Sequence, residues 1–224
     1  MKVFTFSLLA AALFGICGSA HSAAEAEPTR ATLTQALNRF LAERGEICVG
    51  KYDWPIDVSA RDVAKRSRDS IQLPVLEQQG LVSAREGVVV YKDEAGEESV
   101  PTRRYELSEQ GQRFYKAHDV TLHPHGVTEI RHDHDLCAGR LELDSIVKLE
   151  APHAWASSSG SKSASVSYLY RFKAERWVLN DEVRRVFPMI DMLMQGQGKT
   201  PMQQSFHFDG KDWVADTNLD GTAP

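Results

Sequence analysis

Cysteine is scarce in this chain: three residues in 224. Cys17 falls inside an apolar leading run, which leaves Cys48 and Cys137. Two cysteines cannot build a disulfide-dense miniature scaffold or a four-cysteine zinc site. Basic excess is also missing, with 26 Lys and Arg against 31 Asp and Glu and no Lys/Arg stripe. That balance argues against nucleic acid and anionic membrane surfaces as partners. Beyond the leading run, no apolar stretch is long enough to cross a bilayer.

Intact catalytic motifs are absent too. Ser159 to Lys162, "SGSK", has Ser-x-x-Lys spacing, but it precedes an alternating strand pattern where the chemistry needs Ser at a helix start. "GQGKT", Gly196 to Thr200, resembles the end of a phosphate-binding loop. Leu193 holds the place of the earlier glycine, the stretch follows a helical pattern, and Pro201 blocks helix entry. "DTNLDG", Asp216 to Gly221, has the alternating oxygens of a calcium loop but lacks the closing bidentate Glu. A Cys137–His nucleophile pair competes with disulfide formation. These gaps point to a non-enzymatic protein.

What is present starts with an export signature. "MK" is followed by "VFTFSLLAAALFGICGSA", and small residues Ala20, Ser22 and Ala24 offer a cleavage site. Residues 1–24 are therefore expected to be a removed signal peptide, which places the mature chain in the periplasm or outside the cell. A lipid anchor at Cys17 fits less well, because Ile16 precedes it where a small residue is wanted. In an oxidising compartment Cys48 and Cys137 are expected to form a disulfide, worth roughly 4–5 kcal/mol in the chain-entropy model. The alternative is two buried free thiols.

Helical spacing of Leu33, Leu37, Phe40 and Leu41 predicts a helix capped by Thr32 or Thr34 and ended by Gly45. "EICVGKYDW" reads as a short strand. Residues 58–80 read as helical, with Ser59 as cap, Gly80 as stop and a break or a new helix start near Pro74. "LVSAREGVVVYKDEAGEESVPTRRYEL" alternates like a hairpin with a charged tip, and Ser108 caps a turn behind it. Further on, residues 137–152 read as a strand or two, "VSYLYRFKAERWV" as a half-buried strand, and "NDEVRRVFPMIDMLMQG" as one helix. "QQSFHFDGKDWVAD" reads as a hairpin turning at Asp209-Gly210.

The order helix, helix, hairpin over residues 32–117 resembles a winged-helix module, carried by "LPVLEQQGLV" and "YELSEQGQRF". The resemblance implies fold only. Three echoes in the same order suggest a degenerate tandem repeat: "ICVGK" with "LCAGR", "LPVLEQQG" with "FPMIDMLMQG", and "RYELSEQGQRF" with "SFHFDGKDWV". The expected fold class is α+β, with two small winged-helix-like lobes. The boundaries are a first lobe at 29–117, a His-rich connector at 118–135, a second lobe at 136–216 and a tail at 217–224.

Five of the eight histidines lie in "HDVTLHPHGVTEIRHDH", His118 to His134. The x-spaced pairs His123/His125 and His132/His134 suit Zn, Cu or Ni, because alternate strand residues share a face. The plainer reading is a polar joint between lobes. Tyr168, Tyr170, Phe172 and Trp213 are expected in the core. Trp54 and Trp155, in loop contexts, are candidates for a recognition surface. The sequence thus suggests an envelope binding or accessory protein for an unknown protein or small molecule, with no cofactor. The alternative is a metal-handling protein using His123, His125, His132 and His134.

Overall fold

A computed structural model describes residues 27–93, 96–122, 129–150 and 162–216. The fold is α+β. A strongly curled antiparallel sheet runs in the order β1-β6-β7-β8-β9, with β5 attached to β6, and a smaller sheet runs β2-β4-β3.

The first helix, α1 (Arg30–Arg44), buries Leu33, Ala36, Leu37, Phe40 and Leu41. Its cap is Thr29, whose hydroxyl accepts from Thr32 N–H; Thr32 and Thr34 sit inside the first turn. The helix touches β6 (Glu129–Glu150) and β9 (Trp213–Ala215), which stand three places apart in the large sheet. One helix reaches both because the sheet curls around it. Arg39 fixes this arrangement by donating to Trp213 carbonyl at 2.9 Å.

β6 is the spine. Its first part pairs with β5 (Tyr115–Leu122), its middle with β1 (Glu46–Cys48), and its last part with β7 (Ser163–Ala174). Gly139 lies in the middle part at φ +152°. A Cβ there would meet the Lys173 carbonyl at 2.3 Å, so no other side chain fits this crossing. β8 (Met202–Phe208) and β9 close the sheet, and Asp209 caps their turn by accepting from Lys211 and Asp212 N–H.

The smaller sheet comprises β2 (Ile56–Ser59), β3 (Val82–Asp93) and β4 (Gly96–Leu107). Two helices lie between β2 and β3: α2 (Ala60–Ala64) and α3 (Arg68–Gln78). Ser59 and Asp62 form a reciprocal cap at α2. The helical stretch breaks at Arg66, φ +53°, and Ser67 caps α3. The expected break at Pro74 is not taken: Pro74 lies within α3. The short helix α4 (Glu109–Gln112), capped by Ser108, leads into β5.

Three expectations need correction. Residues 118–122 and 129–135 are paired strands of the β5/β6 hairpin, so this part of the presumed joint belongs to the sheet. The helix expected over 180–196 is two, α5 (Asp181–Val186) and α6 (Pro188–Gly196). Pro188 pushes Phe187 out of the helical region, to φ −122° and ψ 73°. The halves also differ in wiring, β2-β4-β3 in one and β7-β8-β9 in the other. Short similar segments recur without carrying one topology twice. A single apolar core runs through both sheets, including Leu73, Leu76 and Tyr105 from the small unit and Val166, Tyr168 and Phe206 from the large one.

Candidate functional site

Two regions concentrate polar chemistry. The first is the junction where β1 crosses β6. Cys48 and Cys137 are register partners and form a disulfide, with S–S 2.07 Å and Cα atoms 3.8 Å apart. Past Cys48 the chain turns through Gly50, φ +74°. This aims the N–H groups of Gly50 and Lys51 at the carboxylate of Asp135, at 2.9 and 2.7 Å. Asp135 is only 1% exposed, so these bonds offset much of the cost of burying it.

The Lys51 side chain then runs inward and is 2% exposed. Its ammonium donates to Asp69 Oδ1 at 2.7 Å and Gln72 Oε1 at 2.8 Å. Asp69 and Gln72 are three apart on α3 and so share a helix face. Gln72 passes the chain on by donating to Val186 carbonyl at 2.9 Å. One hydrogen-bonded string therefore ties β6, β1, α3 and the end of α5. It is a clamp: its buried charges are held by partners within it.

The second region is an open groove of about 520 Å³ between α2, α3 and β4. Tyr105 and Val58 form its base, and Val63, Pro74, Glu77 and Arg103 stand around it. Arg103 donates to both Glu77 carboxylate oxygens at 2.9 Å, and its guanidinium lies 5.7 Å from the Tyr105 ring. Burial raises the Tyr105 phenol above its usual range. On the opposite face of the sheet, Asp57 grips Arg104 through both carboxylate oxygens and accepts from the Thr102 hydroxyl. The Arg104 hydrogen bond holds the Asp57 carboxyl below its usual value, against the opposing effect of burial. The groove thus offers an apolar rim at Val63 beside a planar cation that still has open faces. Such a surface suits binding.

The sequence-predicted residues fare differently. Cys48 and Cys137 meet as expected. His134 is exposed and stacks on Tyr115, ring centroids 5.4 Å apart. The hairpin register sets His132 opposite Asp119 and His134 opposite Ala117. His123, His125 and Trp155 lie outside the described residues, as do the signal segment and residues 217–224. No group of three metal-ligating side chains occurs among the described residues. Trp54 is half-buried and packs against the core. Tyr168, Tyr170, Phe172 and Trp213 are buried as predicted. Gly196 to Thr200 form the turn that ends α6, with Thr200 N–H returning to Gly196 carbonyl, which leaves no phosphate cradle.

Sequence reading missed the clamp. Its signals were the i, i+3 pair Asp69/Gln72 and the aspartate beside Leu136-Cys137, which the neighbouring histidines obscured. It also missed that Arg103 and Arg104, being adjacent on a strand, serve opposite faces. Comparison with family models, curated proteins and solved structures gives no match for this chain.

Proposed function

We propose that this chain is exported to an oxidising envelope or extracellular compartment and acts there as a non-enzymatic binding module. The small sheet with α2 and α3 is the presenting unit. The groove carries this reading: an apolar rim, an ion pair and an aromatic base gathered on one open surface suit a protein segment or a small amphipathic molecule. The disulfide supports an oxidising destination. Among the described residues no helix is long and apolar enough to cross a membrane.

The strand order β2-β4-β3, with two helices between β2 and β3, supports a winged-helix-like reading of this unit. Nucleic acid is a poor partner for it, because α3 offers Arg68 as its one basic residue beside Asp69 and Glu77. A photo-crosslinking residue at Val63, in the exported protein within intact cells, tests the reading. A discrete adduct is expected from Val63 and none from a control at Lys211 on the distant hairpin. Equal labelling from both sites, or none from Val63, would remove it.

A second reading, metal binding, draws on the hairpin register. By register, positions 119, 132 and 134 fall on one face of the β5/β6 hairpin. Such a set suits Zn or Cu. Titration of tag-free protein with Zn(II) or Cu(II) decides it. About one equivalent bound, and lost in the His132→Ala/His134→Ala variant, favours this reading. No uptake and no melting shift dismiss it.

A further inference from the structure

The outer edge of β3 differs from the stretch of β4 that extends past β2. β4 pairs with β2 only over Thr102–Tyr105. Just beyond, Pro101 removes a backbone donor, and Glu97 and Glu98 charge the strand. This is how proteins discourage edge-to-edge pairing. β3 pairs with β4 over its full twelve residues, and among the described residues no strand takes its other side. That side runs Arg85-Glu86-Gly87-Val88-Val89-Val90-Tyr91-Lys92-Asp93, with Val88, Val90 and Tyr91 at 55, 48 and 52% exposure. β3 carries no proline.

We propose that this edge pairs with the same edge of a second copy of the chain. The commitment to a second copy rests on charge. When two β3 strands run antiparallel about a twofold axis at Val89, Arg85 stands opposite Asp93 of the second copy, and Glu86 opposite its Lys92. Val88 meets Val90, and Gly87 meets Tyr91, an aromatic neighbour able to cover a strand glycine. Sliding by two residues in one direction sets Arg85 against Tyr91 and Glu86 against Val90. Sliding in the other sets Val88 against Lys92 and Gly87 against Asp93. Only the centred register matches every charge and every apolar residue, as a self-complementary isologous interface requires. The product is a continuous sheet in the order β2-β4-β3 followed by β3-β4-β2 of the second copy, with two grooves displayed on one assembly. This inference does not depend on what the groove binds.

Sedimentation velocity on the disulfide-intact, processed protein tests it. The wild type is expected to form a concentration-dependent dimer. Glu86→Lys and Lys92→Glu each place like charges opposite one another at two points, and each is expected to weaken the dimer at least tenfold. Mixing these two variants restores complementary pairs at both points, so a heterodimer of near wild-type affinity is expected. Circular dichroism melts confirm that each variant is folded. A wild type that stays monomeric to several hundred micromolar overturns the proposal. So does a dimer indifferent to both substitutions, or a mixture that associates no better than its components. If Glu86→Lys fails to fold, Lys92→Glu combined with Glu86→Lys in one chain is the second route: its restored dimer supports the proposal, and its persistent monomer overturns it.

Discussion

The junction at Cys48–Cys137 and the wing formed by β3 and β4 are built on opposite principles. At the junction, buried charged groups are matched by partners: Asp135 by two N–H groups, and the Lys51 ammonium by Asp69 and Gln72. On the wing, apolar side chains stand in solvent on a strand whose outer edge has no partner strand among the described residues. Burying ionised groups is costly unless each is matched, so the junction tolerates little change. The outer part of the wing contributes no side chain to the buried core, with Val88, Val90 and Tyr91 all exposed. The contrast separates a part that holds the chain together from a part that presents.

The largest break in that contrast should come from the junction. Changing both Cys48 and Cys137 to Ser removes a link spanning 89 residues. The expected loss is roughly 4–5 kcal/mol, or on the order of 10 °C in melting temperature. Denaturing intact mass should rise by two hydrogens on reduction of the wild type. Asp135→Ala should follow at about 3 kcal/mol or more, because two buried N–H groups lose their acceptor. Lys51→Met should cost distinctly less, since an apolar stem of similar length replaces the buried charge. Denaturant titrations rank the three.

On β2, at the far side of the small sheet, the effect depends on pH. The hydrogen bond from Arg104 holds the Asp57 carboxyl below the usual carboxylate range. Its contribution is therefore present above the unfolded value and lost as pH falls through the lower folded value. Melting temperature of the wild type should drop as pH falls below about 4. Asp57→Asn should melt lower at pH 7 and show a flatter acid limb. The smallest effect at neutral pH belongs to Tyr168, whose phenol burial pushes up to about 12. A raised folded value contributes stability that is complete below the unfolded value near 10 and lost as pH rises through about 12. Absorbance titration should show buried tyrosines ionising after the exposed ones, and Tyr168→Phe should remove one tyrosine from that late phase.

Local structure was legible where one signal acts alone. The α1 periodicity, the β3/β4 alternation, the Ser59 and Ser108 caps and the Asp209-Gly210 turn all stand where the residues put them. The misreadings arose where tertiary pairing decides. The His-rich stretch looked like a joint because its charges hide a strand, and its pairing with β5 is a long-range fact. The break at Phe187 was written in Pro188 but outweighed by the apolar spacing around it. Within the candidate site, the disulfide could be expected from cysteine count and compartment. The clamp could not, because Lys51, Asp69, Gln72 and Asp135 come from three distant segments and become partners only when β1 crosses β6.

Native-state hydrogen exchange on the oxidised protein, kept dilute enough to be monomeric, tests the division between clamp and wing most directly. The account predicts that the Gly50, Lys51 and Cys137 amides exchange only with global unfolding, while the outer-edge amides of β3 around Val89 exchange orders of magnitude faster. Junction amides exchanging as readily as those of β3 would contradict it.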